Sequence, residues 1–296
     1  MVTQTPVTEL MKKRFSCRSY SGRALDSETK ESVSSFLSGN IKTLFGSSIR
    51  LALLAASSGD SSELKGLGTY GFIKGASAYI VGAVDKSDKN LEDYGYVMEK
   101  IILQATGLEL GTCWLGGTFS KSSFAGRISL GKSEVMPAVV ALGYKAEKRR
   151  LFDSTMRLIA GSANRKSFHD LFFDRHFSTS LDPAQCGPYV MPLEMVRIAP
   201  SATNRQPWRI VRDKDQNVFH LFLQRTKNYY KNNQKLFGIM DLQRIDMGIA
   251  MCHFELACGE AGIEGAWTLN GAVSARDLKL PELTSYVATW GREPGN

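Results

Sequence analysis

Asp93-Tyr-Gly-Tyr-Val-Met98 returns as Asp246-Met-Gly-Ile-Ala-Met251, displaced by 153 residues (246 − 93). The displacement holds without gaps at Leu103 against Leu256, Leu110 against Ile263 and Trp114 against Trp267. In the first copy Tyr94, Val97, Met98, Ile101, Ile102, Ala105 and Leu108 recur at helical spacing, which predicts a helix over Leu91–Leu108. The second copy predicts a helix over Leu242–Ala261, apolar on most sides and therefore deeply buried. Helical periodicity accounts for matched apolar positions but not for coincident Asp, Gly and Trp, so the pattern reads as one α/β unit present twice. Ala138-Val-Val-Ala-Leu-Gly143 and Tyr286-Val-Ala-Thr-Trp-Gly291 follow as similar strands. The expected halves are residues 1–160 and 161–296. Each long helix would face the other like the subunits of a dimer, with room for a ligand between unlike halves.

Outward from these helices the chain alternates. Pro6–Arg14 and Asp26–Leu37 read as helices, the second with Asp26 as N-cap. Ile49–Ala56 and Ala78–Val84 read as buried strands. Helical stretches are expected at Phe168–Phe173 and Tyr189–Ile198. A hairpin of Trp208–Arg212 and Val218–Gln224 follows around Asp213–Asn217, then strands near Ala266–Leu269 and Ser285–Trp290. The fold class is α+β.

The 296 residues are 43% hydrophobic with only 9 prolines, which excludes disordered and collagen-like chains. No apolar run approaches the ~18–20 residues of a membrane span. Met1–Leu10 lacks a basic segment followed by an apolar one, so a cytoplasmic protein without membrane attachment is expected. Five cysteines without a Cys-x-x-Cys argue against disulfides and zinc. Four histidines share no metal-ligand spacing, and His253 reads as a satisfied core histidine. The net charge of +8 suits an anionic ligand. The basic run Lys145–Arg150 has no interleaved aromatics, so nucleic acid is not an expected partner.

Three motifs carry chemistry. In Lys13-Arg-Phe-Ser-Cys-Arg-Ser-Tyr20 an extended backbone would turn Arg14, Ser16 and Arg18 to one side, where two guanidinium groups and a hydroxyl suit an anion. A solvated basic turn is the plainer alternative. Ala199-Pro-Ser-Ala-Thr-Asn-Arg-Gln-Pro-Trp208 is a polar, proline-bounded loop whose Asn204 and Gln206 could hydrogen-bond the edge of a planar heterocycle. In Gly111-Thr-Cys-Trp-Leu-Gly-Gly-Thr118 the paired glycines would let the backbone approach a flat ring, although such a pair is more often just a tight turn. Cys113 and the two recurring tryptophans read as packing, and Tyr229-Tyr230 as a solvated loop rather than a lid.

Together these motifs resemble the nitroreductase family of FMN-dependent oxidoreductases. Arg14-x-Ser16-x-Arg18 is similar to its phosphate-binding motif, and Pro200–Trp208 to its Pro-Ser-x-x-Asn-x-Gln-Pro-Trp. The Gly107–Gly117 stretch is similar to its Gly-Leu-Gly-Thr-Cys-Trp-x-Gly-Gly, and Arg165-Lys166 resembles a basic pair near its C-terminus. The resemblance implies a mixed, mainly antiparallel sheet flanked by helices. It implies that Arg14, Ser16, Arg165 and Lys166 hold the ribityl phosphate, with Arg18 at the pyrimidine edge. Leu115, Gly116 and Gly117 would line one ring face, with Pro200, Ser201, Ala202, Asn204 and Gln206 supplied by the other half. Usual members are homodimers with two sites; here the halves are complementary, as in fused single-chain relatives, implying one FMN per chain. NAD(P)H would be the donor and a small oxidised molecule the acceptor, with the flavin, not a protein nucleophile, carrying the reaction. A flavin-binding protein without turnover is the alternative, and a site specialised for dehalogenation or flavin breakdown shares the same fold.

Overall fold

The computed structural model describes residues 5–39, 42–57, 62–147, 164–214, 217–229, 239–270 and 278–292. The expected boundary at 160/161, part of the basic run and Tyr230 lie outside them. Helix α1 (Val7–Lys13) starts after Pro6, whose fixed φ suits a helix entrance. Helix α2 (Ser27–Ser38) is capped by Asp26, whose carboxylate accepts the Thr29 N–H. Strands β1 (Ile49–Ala55) and β2 (Ala78–Asp85) precede the long helix α3 (Asn90–Gly107). The first half continues through β3 (Gly111–Leu115), α4 (Lys121–Arg127), β4 (Glu134–Val135) and β5 (Val139–Gly143). Its sheet runs β1-β2-β5-β3, all antiparallel, with β4 also on β2.

The second half opens with the short helix α5 (Phe168–Leu171), strand β6 (Phe172–Asp174) and helix α6 (Val190–Ile198). The helix expected over Phe168–Phe173 therefore stops after one turn. Its last residues pair in parallel with β7 (Trp208–Arg212), and this tertiary pairing overrides the local periodicity. Strand β8 (Phe219–Gln224), helix α7 (Leu242–Glu260), and strands β9 (Ala266–Thr268) and β10 (Thr284–Gly291) complete it. The order β7-β8-β10-β9 reproduces β1-β2-β5-β3, with β6 added at the edge. The fold is thus α+β, mainly antiparallel, in two fused halves.

Alternation along the strands sorts their side chains. Ile80, Val140, Ile210 and Leu221 join one core that runs through α3 and α7 from sheet to sheet, whereas Val81 and Val139 pack on the far face of the first sheet. The centre of that core is a reciprocal helix crossing. A Cβ placed on Gly95 would lie 2.2 Å from the Ile245 carbonyl oxygen, and one on Gly248 would lie 1.9 Å from that of Glu92. The recurring glycine is what lets the two backbones touch. Arg244 closes the same interface with a two-point ion pair to Glu92 at 2.9 and 2.6 Å. Among the described residues no helix is long and apolar enough to cross a membrane.

Candidate functional site

Where the halves meet, a cavity of about 1020 Å³ opens, walled by Ser16, Arg18, Trp114, Gly116 and Gly117 from the first half and Pro200, Ser201, Ala202, Thr203 and Asp246 from the second. That is just above the ~300–1,000 Å³ range usual for small-molecule sites. The N-terminal motif reaches it because α1 ends at Lys13 and the chain runs on extended. Ser16 bridges Thr112 of β3, and the Cys17 N–H donates to the Thr112 carbonyl at 2.8 Å. Alternation then turns Ser16 and Arg18 to the cavity and buries Cys17 on the opposite side.

Arg14 sits deeper. Its Nε is 3.8 Å from Oε1 of the fully buried Glu99, and has no hydrogen-bond partner among the described residues. Glu99 accepts from Trp114 Nε1 at 2.8 Å and contacts His253 Nε2 at 3.1 Å, while His253 Nδ1 reaches the Met195 carbonyl at 2.9 Å. His253 is a satisfied core histidine, as its sequence position suggests.

The Pro200–Trp208 loop is tightly wound. Thr203, Asn204 and Gln206 adopt left-handed backbone with φ of 48°, 54° and 49°. Such residues are uncommon outside glycine and persist only where neighbours over-determine them. Here Asp246 Oδ1 accepts the Ala202 N–H at 2.9 Å, and Ser201 Oγ accepts that of Gln206 at 2.9 Å. Gln206 Oε1 takes the Lys166 N–H at 2.8 Å, and Asn204 Nδ2 donates to the Asn164 carbonyl at 2.7 Å. Arg165 donates to Asn204 Oδ1. Asn204 and Gln206 thus brace the loop against residues 164–166, and neither is on the cavity wall, in contrast to the ring-edge role suggested by their amides.

The basic pair splits. Arg165 donates through Nε and Nη2 to the Ile198 carbonyl at 3.3 and 3.0 Å. Burial, then the nearby charges of Arg14 and Arg197, push its guanidinium down to about 10. The charge of Arg14 thus reaches Arg165, whereas Lys166 lines a second cavity. Leu115 is buried in the core beyond the first sheet and is not on the wall. Gly116 and Gly117 are approached by second-half side chains: added Cβ atoms would lie 2.6 Å from Leu242 and 2.3 Å from Ile239.

Several wall residues escaped the sequence reading. Trp114 is one, and Tyr70 and Phe72 are others. Tyr229, read as part of a solvated loop, lines the cavity with its hydroxyl 3.2 Å from Thr203 Oγ1. Asp246 had a signal in its recurrence with Asp93, but the two carboxylates differ. Asp93 accepts the N–H groups of Leu44, Phe45 and Ser47 at 2.8–3.0 Å. Asp246 accepts only that of Ala202, and its enclosed Oδ2 has no partner among the described residues. Burial holds its carboxyl well above the usual range.

Residues 6–258 match the family model described as "Putative TM nitroreductase". The chain belongs to this nitroreductase family. A crystal structure of a "putative nitroreductase" from Thermotoga maritima superposes with a TM-score of 0.59 at 17% identity, over 97% of this chain and 92% of that one. At that identity the likeness speaks for the fold alone. Shorter nitroreductases align with half of the chain. One from a Desulfovibrio desulfuricans subspecies, in complex with FMN, covers 51% of this chain and 96% of its own at 21% identity and a TM-score of 0.36. A Bacteroides fragilis nitroreductase with bound FMN covers 50% and 92% at 19% identity and a TM-score of 0.38. No curated protein sequence matches this nitroreductase-family chain.

Proposed function

We propose that the chain binds one FMN between its halves and works as an oxidoreductase, taking electrons from NAD(P)H and passing them to a small oxidised acceptor such as a nitro compound or quinone. The observation that carries this reading is the composite cavity: the Ser16/Arg18 strand and glycine pair come from one half, and the Pro200–Thr203 loop from the other. Family membership supports the same cofactor.

The residues present suit it. Arg14 has a buried Nε without a hydrogen-bond acceptor among the described residues, and its charge disfavours that of the Arg165 guanidinium. An anion between them would relieve both, which suits a phosphate held by Arg14, Ser16 and Arg165. Arg18 would face the pyrimidine edge, where a fixed cation stabilises negative charge on a reduced ring. Trp114, Ile245, Ile249 and Leu242 provide an apolar wall that excludes water. Bound FMN supplies hydride chemistry that no side chain here can perform.

The test is the visible spectrum of the purified protein and its flavin content. One FMN per chain, with NAD(P)H oxidation coupled to a nitroarene or quinone, is expected. A chain that neither retains nor takes up flavin refutes the proposal. Stoichiometric flavin without turnover on any acceptor would leave a binding protein in place of the enzyme.

A further inference from the structure

A second cavity, of about 450 Å³, has no wall residue in common with the first. It lies on the outer face of the second sheet. Trp208 and Ile210 point into the main core, so Arg209 between them points outward, on the side of Val211, Phe173 and Phe177. Lys166, His169, Asp170, Phe173, Phe177 and Arg209 form much of its wall.

Arg209 is only 8% exposed, and the charge of Asp170 reaches it without an ion-pair contact among the described residues. Its Nη1 is fixed by the carbonyls of Trp208 and Gln206 at 2.6 and 3.1 Å, and no hydrogen bond occupies Nε or Nη2 among the described residues. Lys166, half-buried beside it, has no hydrogen bond at Nζ among those residues. Burial and then Arg209 push its ammonium down to about 8, and burial takes Arg209 to about 10. The carboxylate on the wall, Asp170, is engaged by Ser167, which donates through Oγ at 2.8 Å and N–H at 3.3 Å. Two desolvated cations share the charge of one carboxylate, Asp170, which Ser167 also holds, so the cavity carries a net positive charge that a further anion would offset.

We infer that this cavity is an oxyanion site that takes a phosphate group, gripped by Arg209 and Lys166, with Phe173 and Phe177 flanking whatever carries the phosphate. A guanidinium fork and an ammonium supply donors from two directions, which suits a tetrahedral dianion. Lys166, which the family resemblance assigned to the FMN phosphate, lines this second cavity and not the first, and the inference uses none of Arg14, Ser16 and Arg165.

The test is ³¹P line broadening of inorganic phosphate and of phenyl phosphate on the full chain at constant ionic strength, with chloride as the balancing anion. Saturable binding of at least one is expected, weakened about tenfold or more by Arg209→Gln and by Lys166→Gln. Tighter phenyl phosphate would support a site for an organic phosphate, and equal affinities a site for the free ion. If Arg209→Gln fails to fold, Lys166→Gln decides, because its Nζ leaves no hydrogen-bonded partner behind among the described residues. Absence of saturable binding overturns the inference. So does loss of binding in Ser16→Ala/Arg18→Gln with none in Lys166→Gln, which would place the phosphate in the first cavity.

Discussion

Adding one carbon at Gly248 tests the fusion of the two halves directly. A Cβ there lies 1.9 Å from the Glu92 carbonyl oxygen and 2.7 Å from the Tyr96 nitrogen. Ordinary carbon–oxygen contacts begin near ~3.3 Å, so the helices must part by about 1.4 Å. Both offending atoms are backbone within α3, which cannot rotate aside as a side chain would. Overpacking of a tight core usually costs ~1–3 kcal/mol, and this geometry belongs at the upper end. For a chain of 296 residues, at ~2.1 cal/mol/K of unfolding entropy per residue, that is a fall in melting temperature of about 4–5 °C. Gly95→Ala, at 2.2 Å from the Ile245 carbonyl, should cost somewhat less. The double variant is the sharper measurement. One separation of α3 from α7 relieves both clashes, so the combined loss should fall well short of the two single losses added together. The same movement shifts Ile245 and Asp246 on the cavity wall, so flavin retention should drop in step with stability. Thermal and urea unfolding of the three variants supply the numbers. Strict additivity, or single losses under about 0.5 kcal/mol, would refute the reciprocal crossing.

Arg18 makes no ion pair among the described residues, so Arg18→Ala should lower flavin retention while leaving the melting temperature within about 1–2 °C of the parent; an unchanged flavin content would remove Arg18 from the site. Glu99→Ala strands Arg14 and His253 in the interior and should cost about 3–5 kcal/mol by denaturant unfolding, because breaking a buried charged network leaves unpaired charge behind. Asp246 has its folded-state carboxyl raised by burial, so its contribution is fully present below the ordinary carboxyl range near ~3.9 and is lost as pH rises from there towards the raised value. Asp246→Asn should therefore flatten stability against pH across that window and be the more stable form at neutral pH. A parallel pH profile in the variant would contradict the assignment.

Much of the architecture is legible in the chain. The recurring Asp, Gly, Met, Leu and Trp locate both long helices. Their shared glycine marks the crossing because only a residue without a Cβ permits such close contact. The hairpin of β7 and β8 follows from its polar turn and its flanks rich in apolar and aromatic residues. The strand β6 was not legible: Phe172–Asp174 has helical spacing, and only its partner β7 makes it extended. The three site motifs were equally visible, and Ser16, Arg18, Gly116, Gly117 and Pro200–Ala202 converge on one cavity.

What the amino-acid order determined by itself is local: periodicity, caps, the repeated unit and the segments of unusual chemistry. Which way the polar side chains in those segments turn was decided only in three dimensions. Lys166 and Arg165 are adjacent in sequence, yet Lys166 lines the second cavity while Arg165 turns to Ile198 and Asn204, and Asn204 and Gln206 brace a neighbouring segment instead of facing the first cavity. Those outcomes depend on left-handed backbone at Thr203, Asn204 and Gln206 and on hydrogen bonds to residues about forty positions away. Spacing along a chain specifies a face only while the backbone repeats regularly, and at this loop it does not.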